Sequence, residues 1–259
     1  MEKELLVARQ VAVEAGSLIL TYYGRDLVVD MKGWADPVTA ADRAAETHIR
    51  ARIAEQFPND AISGEEQGMT AGASNRVWIV DPLDGTANFA GGMNVFAVCI
   101  TLLVDGRPVL NVTHDPIRGE TFEAARGAGA RLNGKPIRVA DPTPLPGMLV
   151  HVSFPRDQAA WRGSLELTKR ITAVAPHARN IGSSALAQAY VACGRLHAHA
   201  RVSVGEYDIV GGNLMIEEAG GVATDLRGGP YGAGSRGLLA AAPQNHGHLL
   251  ELNLADCLP

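Results

Sequence analysis

The residues best suited to chemistry lie together in Trp78-Ile-Val-Asp81-Pro-Leu-Asp84-Gly-Thr86-Ala-Asn88-Phe89. An apolar run, Val77 to Val80, reads as a short buried strand that stops at Asp81. It delivers two carboxylates three residues apart, with Pro82 stiffening the turn between them. Gly85 and Thr86 then read as the opening of a helix, whose free N–H groups suit a phosphate. Asp81, the Leu83 carbonyl and Asp84 around one small volume are hard oxygen donors, the kind that Mg²⁺ or Mn²⁺ takes. Taken alone, Asp-x-x-Asp-Gly also fits a plain turn with capping aspartates. It is not an EF-hand, which needs alternating ligands and a glutamate at position twelve. No Gly-Lys-Ser/Thr follows to make a phosphate-binding Walker loop.

The elements around this stretch can be read from pattern. Leu5, Ala8, Ala12, Ala15, Ile19 and Tyr22 recur at helical spacing, with Gly24 as a stop. A second helix starts at Thr39, where Asp42 is the capping-box partner, and Pro58 ends it. Its apolar stripe is Ala45, Ile49, Ile53 and Phe57. Strands are expected over Val95 to Val104 and Val109 to Thr113, turned by Asp105-Gly106, and over Thr121 to Ala124, with Asn133-Gly134 as a further turn. Three prolines in Asp141–Pro146 mark a boundary and divide the chain into residues 1–145 and 146–259, two halves that pack tightly. Beyond it come an apolar run from Met148 to Val152, helices over Ala159–Val174 and Ser184–Cys193, and a last clear helix from near Asp208 to Gly220-Gly221. Strands and helices mix throughout, so the class is α/β or α+β.

Composition narrows the functions. The 259 residues carry 23 Lys and Arg against 28 Asp and Glu, a net charge of −5. No basic run stands out, so neither nucleic acid nor an anionic membrane is an expected partner. No apolar stretch reaches the ~20 residues that span a bilayer. The N-terminus lacks the layout of a signal peptide, and Cys99, Cys193 and Cys257 are few and far apart. A cytoplasmic protein is expected.

Several motifs in order make the reading specific. Asp36-Pro-Val-Thr-Ala-Ala-Asp42, Gly64-Glu65-Glu66, the Asp81–Thr86 stretch, Asn133-Gly-Lys-Pro-Ile-Arg-Val139 and Tyr207-Asp208 leading to Glu218-Ala-Gly-Gly221 resemble the inositol monophosphatase family over nearly the whole chain. The resemblance implies a layered αβαβα sandwich and Mg²⁺-dependent, lithium-sensitive hydrolysis of a phosphate monoester by metal-activated water. It implies two or three Mg²⁺ per site, with Mn²⁺ a possible substitute, and a homodimer. Carried over by motif, Glu65, Asp81 and the Leu83 carbonyl hold one metal, and Asp81, Asp84 and Asp208 a second. Thr86 and Asp42 are the catalytic pair that orients the water, with Glu65 assisting. Asp42 also serves as a helix cap, and the two roles are compatible. Lys32 and Asp36 lie in a segment that reaches toward the site in relatives, although a solvated loop fits them equally.

Substrate binding falls by the same resemblance to Asp84, Gly85, Thr86, Gly182, Ser183, Ser184, Arg201 and Asp208. Arg201 stands where inositol-hydrolysing relatives commonly carry a glutamate. It either points to solvent or a subunit interface, or recognises a second anionic group, since a guanidinium forks onto phosphate or carboxylate. Tyr207 replaces a usual tryptophan. His151, His177, His197 and His199 read as surface or core residues. A phosphatase with an aspartate nucleophile spaces its two aspartates by two residues and has no place for Glu65 or Asp208. The expected substrate is a small polyol or sugar phosphate resembling inositol 1-phosphate. Fructose 1,6-bisphosphate, histidinol phosphate, and a 3′-phosphonucleotide or NADP are the alternatives. A regulatory protein associated with the transcription machinery is the alternative class.

Overall fold

The computed structural model describes residues 1–25, 28–34, 36–155, 157–203, 206–231 and 235–258, with the backbone alone for Glu206, Tyr207 and Asp208. The chain begins with helix α1 (Glu2–Leu20), which buries Ala8, Val11, Ala12, Ala15 and Ile19. A small antiparallel hairpin follows, β1 (Asp30–Gly33) with β2 (Asp36–Val38). Helix α2 (Ala40–Gln56) begins at Thr39 with the capping box that its sequence predicts, Asp42 bonding back to the Thr39 N–H.

Strands β3 (Ala61–Gly64), β4 (Gly68–Thr70) and β5 (Arg76–Asp84) lead to the five-residue helix α3 (Thr86–Ala90). Then β6 (Ala97–Val104), β7 (Arg107–Asp115), β8 (Glu120–Ala125), β9 (Gly129–Leu132) and β10 (Lys135–Pro136) run as a meander. Together β3 to β10 make one eight-stranded sheet in the order β10-β9-β8-β7-β6-β5-β3-β4. Only the β3–β5 pair in it is parallel. The turns at Asp105 and Asn133 hold positive φ, which Asn and Asp tolerate better than most residues.

The second part of the chain alternates: β11 (Leu149–Val152), α4 (Trp161–Thr172), β12 (His177–Arg179), α5 (Ser184–Ala192), β13 (Ala198–Arg201), α6 (Glu206–Glu218), β14 (Val222–Thr224), β15 (Leu238–Ala241) and α7 (Pro243–Leu250). Its five strands form a second sheet in the order β12-β11-β13-β15-β14, in which β12, β11 and β13 are parallel. Helix α6 ends at Glu218, just short of the expected Gly220, and α7 follows it, so α6 is not the last helix.

These parts stack as an αβαβα sandwich. Helices α1 and α2 cover one face of the large sheet through Ile49, Ile53, Trp78, Ile100 and their neighbours. Helices α5 and α6 fill the space between the two sheets with small residues, Ala187, Ala189, Ala192 and Ala219 among them. Helices α4 and α7 close the far face of the small sheet. Among the described residues, no helix is long and apolar enough to cross a membrane.

Candidate active site

Strand β5 does not stop at Asp81 but runs on to Asp84 through an irregularity. Asp81 pairs with Cys99 and Asp84 with Ala97, so three steps on β5 oppose two on β6. Such a bulge re-aims side chains that regular pleating would send elsewhere. Here it leaves both carboxylates buried. Asp81 Oδ1 accepts the Leu83 N–H at 3.0 Å. Asp84 Oδ2 accepts the Ser183 hydroxyl and, at 2.8 Å, the Ala185 N–H. One carboxylate of the large sheet thus ties down the first turn of α5.

Gly85 makes the next step possible. Its φ is +95°, and an added Cβ would lie 2.9 Å from the Val95 carbonyl. The backbone therefore needs glycine both for its handedness and for the close approach. Thr86 follows, and its Oγ1 lies 3.0 Å from Asp42 Oδ1 and 3.0 Å from the Leu83 carbonyl. The other Asp42 oxygen accepts the Thr39 N–H at 2.8 Å and the Thr39 hydroxyl at 2.6 Å. Burial pushes the Asp42 carboxyl above its usual range, while the Thr39 and Thr86 hydrogen bonds pull the other way.

Glu65 stands just past β3, with its N–H on the Val80 carbonyl. The Lys32 ammonium, carried on β1, lies 3.0 Å from Glu65, 2.6 Å from Glu66 and 3.8 Å from Asp36. Burial alone would lower the Lys32 pKa, but the Glu66 and Glu65 carboxylates outweigh it and hold the amine above its ordinary range. For Glu66, burial raises the carboxyl and Lys32 offsets part of the rise. Strand β1 of the hairpin that carries Lys32 and Asp36 is exposed, yet its Lys32 is tied to Glu65 and Glu66.

Two residues that hold the site were not singled out from sequence. Glu46, fully buried on α2, accepts the N–H of Glu66 at 2.7 Å and of Gln67 at 3.0 Å, and pairs with Arg50. Gly64 leaves room for it, since a Cβ there would sit 2.1 Å from Glu46 Oε1. The signal was an acid beside Ala45 on the apolar stripe of α2. Asn88, inside the quoted motif, donates at 2.8 Å to both the Val95 and Ile181 carbonyls. It packs on Gly182, whose φ of +73° again requires glycine.

On the far side of the site, Arg201 ends β13. Its Nη1 donates to Ser184 Oγ at 3.1 Å and its Nε to the Ser203 carbonyl. The residue is 7% exposed, which removes it from solvent and sets it beside the start of α5. His151 and His199 are core residues on adjacent strands, with rings 4.7 Å apart. His197 accepts the Leu149 N–H, and His177 is exposed. Tyr207 and Asp208 open α6, and their side chains lie outside the described residues.

The donor set fits a hard divalent cation. Glu65, Asp81, Asp84 and the Leu83 carbonyl offer oxygen only, and the Lys32 ammonium already lies across Glu65 and Glu66. Among the described residues, no three acidic, His or Cys side chains already converge at coordinating distance.

A layered α/β sandwich with a buried acidic site between its two sheets is a recognisable class of protein. Residues 1–255 match the model of the inositol monophosphatase family, and the chain belongs to that family. It is 37% identical over 248 residues to the Nus factor SuhB of Pasteurella multocida, covering 94% of this chain and 93% of that protein. Among solved structures, the extragenic suppressor protein suhB of Bartonella henselae superposes with a TM-score of 0.92 at 33% identity, over 96% of this chain and 98% of that one. The inositol monophosphatase of Anabaena (Nostoc) sp. PCC 7120 gives 0.87 at 30% identity, over 100% and 97%.

Proposed function

We propose that the protein is a Mg²⁺-dependent phosphomonoesterase acting on a small polyol or sugar phosphate. The observation that carries this reading is the Thr86–Asp42 hydrogen bond beside an all-oxygen donor set. Glu65, Asp81, Asp84, Asp208 and the Leu83 carbonyl would hold a divalent cation, which would supply Lewis acidity at the phosphoryl oxygens and acidify water. The chain's own residues do the rest. Thr86, by donating to the buried Asp42, presents its hydroxyl oxygen as an acceptor. A water that gives a hydrogen to that oxygen has a lone pair turned toward the phosphorus.

At five residues, α3 is little more than one turn, so individual N–H groups at Gly85 and Thr86, rather than a summed dipole, meet the phosphate. Gly182, Ser183 and Ser184 face the leaving group, with Arg201 beside them. Mn²⁺ is the expected substitute, lithium the expected inhibitor, and a cytoplasmic homodimer the expected form.

Asp81→Asn tests the reading. Phosphate release at saturating Mg²⁺ is expected to fall by at least about 10³ in kcat, as when a main electrostatic stabiliser is lost. Near-normal turnover would refute the assignment of the ligands.

A second reading is favoured by one observation, the name Nus factor SuhB carried by a relative 37% identical. In that reading the same fold binds a component of the transcription machinery. The two functions are compatible, and a variant without turnover that keeps such binding would separate them.

A further inference from the structure

The edge of the site carries an aromatic wall that phosphate chemistry does not need. Trp34, in the turn of the β1–β2 hairpin, meets Trp161 at the start of α4 edge to face, with ring centroids 5.6 Å apart at 78°. Phe154 lies against the same indole at 5.2 Å. Trp34 is 50% exposed and Trp161 36%. The chain has three tryptophans, so two of them are spent here with surface left open to water. The third, Trp78, is fully buried.

The chain ties the wall to the candidate site on two sides. Trp34 is two residues from Lys32, so its Cα lies within about 7 Å of that of Lys32, whose amine is on Glu65. Phe154 leaves the carboxyl end of β11, and Ser153 before it bonds to the Ala200 carbonyl, one residue from Arg201. The parallel strands β12, β11 and β13 all end at this edge, in Arg179, Val152 and Arg201. In open α/β sheets the carboxyl ends of parallel strands are where ligands bind.

The surface also specifies its occupant. The Trp161 Nε1 is already used, donating to the Pro155 carbonyl at 3.0 Å. What that indole has left for a ligand is apolar and π surface, on which a flat aromatic ring stacks with more contact than an open-chain polyol such as glycerol. We propose that Trp34 and Trp161 form a stacking subsite for a planar aromatic leaving group, so that aryl or nucleoside phosphates are accepted beside polyol and sugar phosphates. This rests on the phosphomonoesterase reading and names the leaving-group class for it.

The test compares wild type, Trp34→Ala and Trp34→Phe on three esters at fixed Mg²⁺: 1-naphthyl phosphate, a nucleoside 3′-monophosphate and glycerol 2-phosphate. The quantity read is each variant's kcat/KM ratio of aromatic to glycerol ester, relative to wild type, in which leaving-group reactivity and any general effect on the hairpin cancel. The ratio is expected to fall roughly 3- to 10-fold in Trp34→Ala, chiefly through KM, and to recover largely in Trp34→Phe. An unchanged ratio overturns the subsite while leaving the hydrolase intact. Binding of adenosine, read by tryptophan quenching, needs no turnover. Quenching in wild type that is lost in Trp34→Ala supports the subsite even if no ester is hydrolysed, and its absence in wild type overturns it.

Discussion

Thr86 and Asp42 are 44 residues apart in sequence, yet the threonine hydroxyl lies 3.0 Å from the Asp42 carboxylate. The contact joins the first residue of α3 to the first turn of α2. It gives Asp42 two roles, since its second oxygen caps the helix at Thr39. Removing the hydroxyl should therefore disable catalysis without unfolding the helix. Thr86→Ala is expected to lower kcat about 10²- to 10³-fold with little change in KM, and Thr86→Ser to recover most of it. Steady-state kinetics on all three proteins checks this. A Thr86→Ala enzyme within about twofold of wild type would separate the pair from the reaction.

Asp42→Asn probes both roles at once. The amide cannot accept from the Thr39 N–H, the Thr39 hydroxyl and Thr86 together as the carboxylate does. A loss of about 0.5–2 kcal/mol in stability is expected from the cap alone. Urea unfolding measures this independently of turnover, and unchanged stability would mean that the capping bonds contribute nothing.

Glycine is required at Gly85 by two independent constraints, its φ of +95° and the Val95 carbonyl 2.9 Å from any added Cβ. Gly85→Ala should cost about 1–3 kcal/mol of strain and displace Asp84 and Thr86 together. Thermal unfolding and turnover should both suffer. An alanine variant with wild-type stability would show that the turn can relax.

Stability should fall as the pH drops below neutrality. Burial lowers the His151 pKa to about 3, with the Arg201 charge adding to it, and lowers that of His199 well below its usual value. Both imidazoles stay neutral in the folded chain while those of the unfolded chain take up protons near pH 6.5. The unfolded state then binds more protons, so stability is complete above about pH 7 and is lost on acidification, by about 1 kcal/mol per histidine between pH 7 and 5.5. Unfolding curves across that range check the slope, and His151→Gln should flatten it. A slope that His151→Gln leaves unaltered would mean that His151 is not its source.

Arg201 bears on substrate choice. Held at the start of α5 by Ser184, the guanidinium can meet a second anionic group on the substrate, worth about 1.5–3 kcal/mol. Arg201→Met should cut kcat/KM for a bisphosphate by roughly ten- to 150-fold relative to inositol phosphate. An unchanged ratio of the two would remove Arg201 from recognition.

Local features of this fold were plain in the sequence, and features that depend on distant partners were not. The Thr39–Asp42 cap and the Asp105-Gly106 and Asn133-Gly134 turns are each set by a few adjacent residues. The β1–β2 hairpin was hidden because Asp30 to Gly33 are all exposed and carry no alternation. Strands β13 and β15 were hidden for the opposite reason. Ala198–Arg201 and Leu238–Ala241 are buried on both faces, and short runs rich in alanine show no period. Helix α7 begins at Pro243 and contains Gly247, which weakens its pattern. The acidic site was legible because its residue types cluster along β5. The roles of Glu46 and Asn88 were not, because their partners lie 20 or more residues away for Glu66 and 93 away for Ile181.

The central claim is that these carboxylates work through a hard divalent cation. The most direct measurement is phosphate release from a phosphomonoester by protein stripped with EDTA, before and after Mg²⁺ is returned. Activity is expected to fall by at least about 10³-fold on stripping and to return with Mg²⁺ or Mn²⁺ but not with Ca²⁺, whose larger, looser shell spoils in-line alignment. Full-rate hydrolysis by the stripped protein would contradict the account.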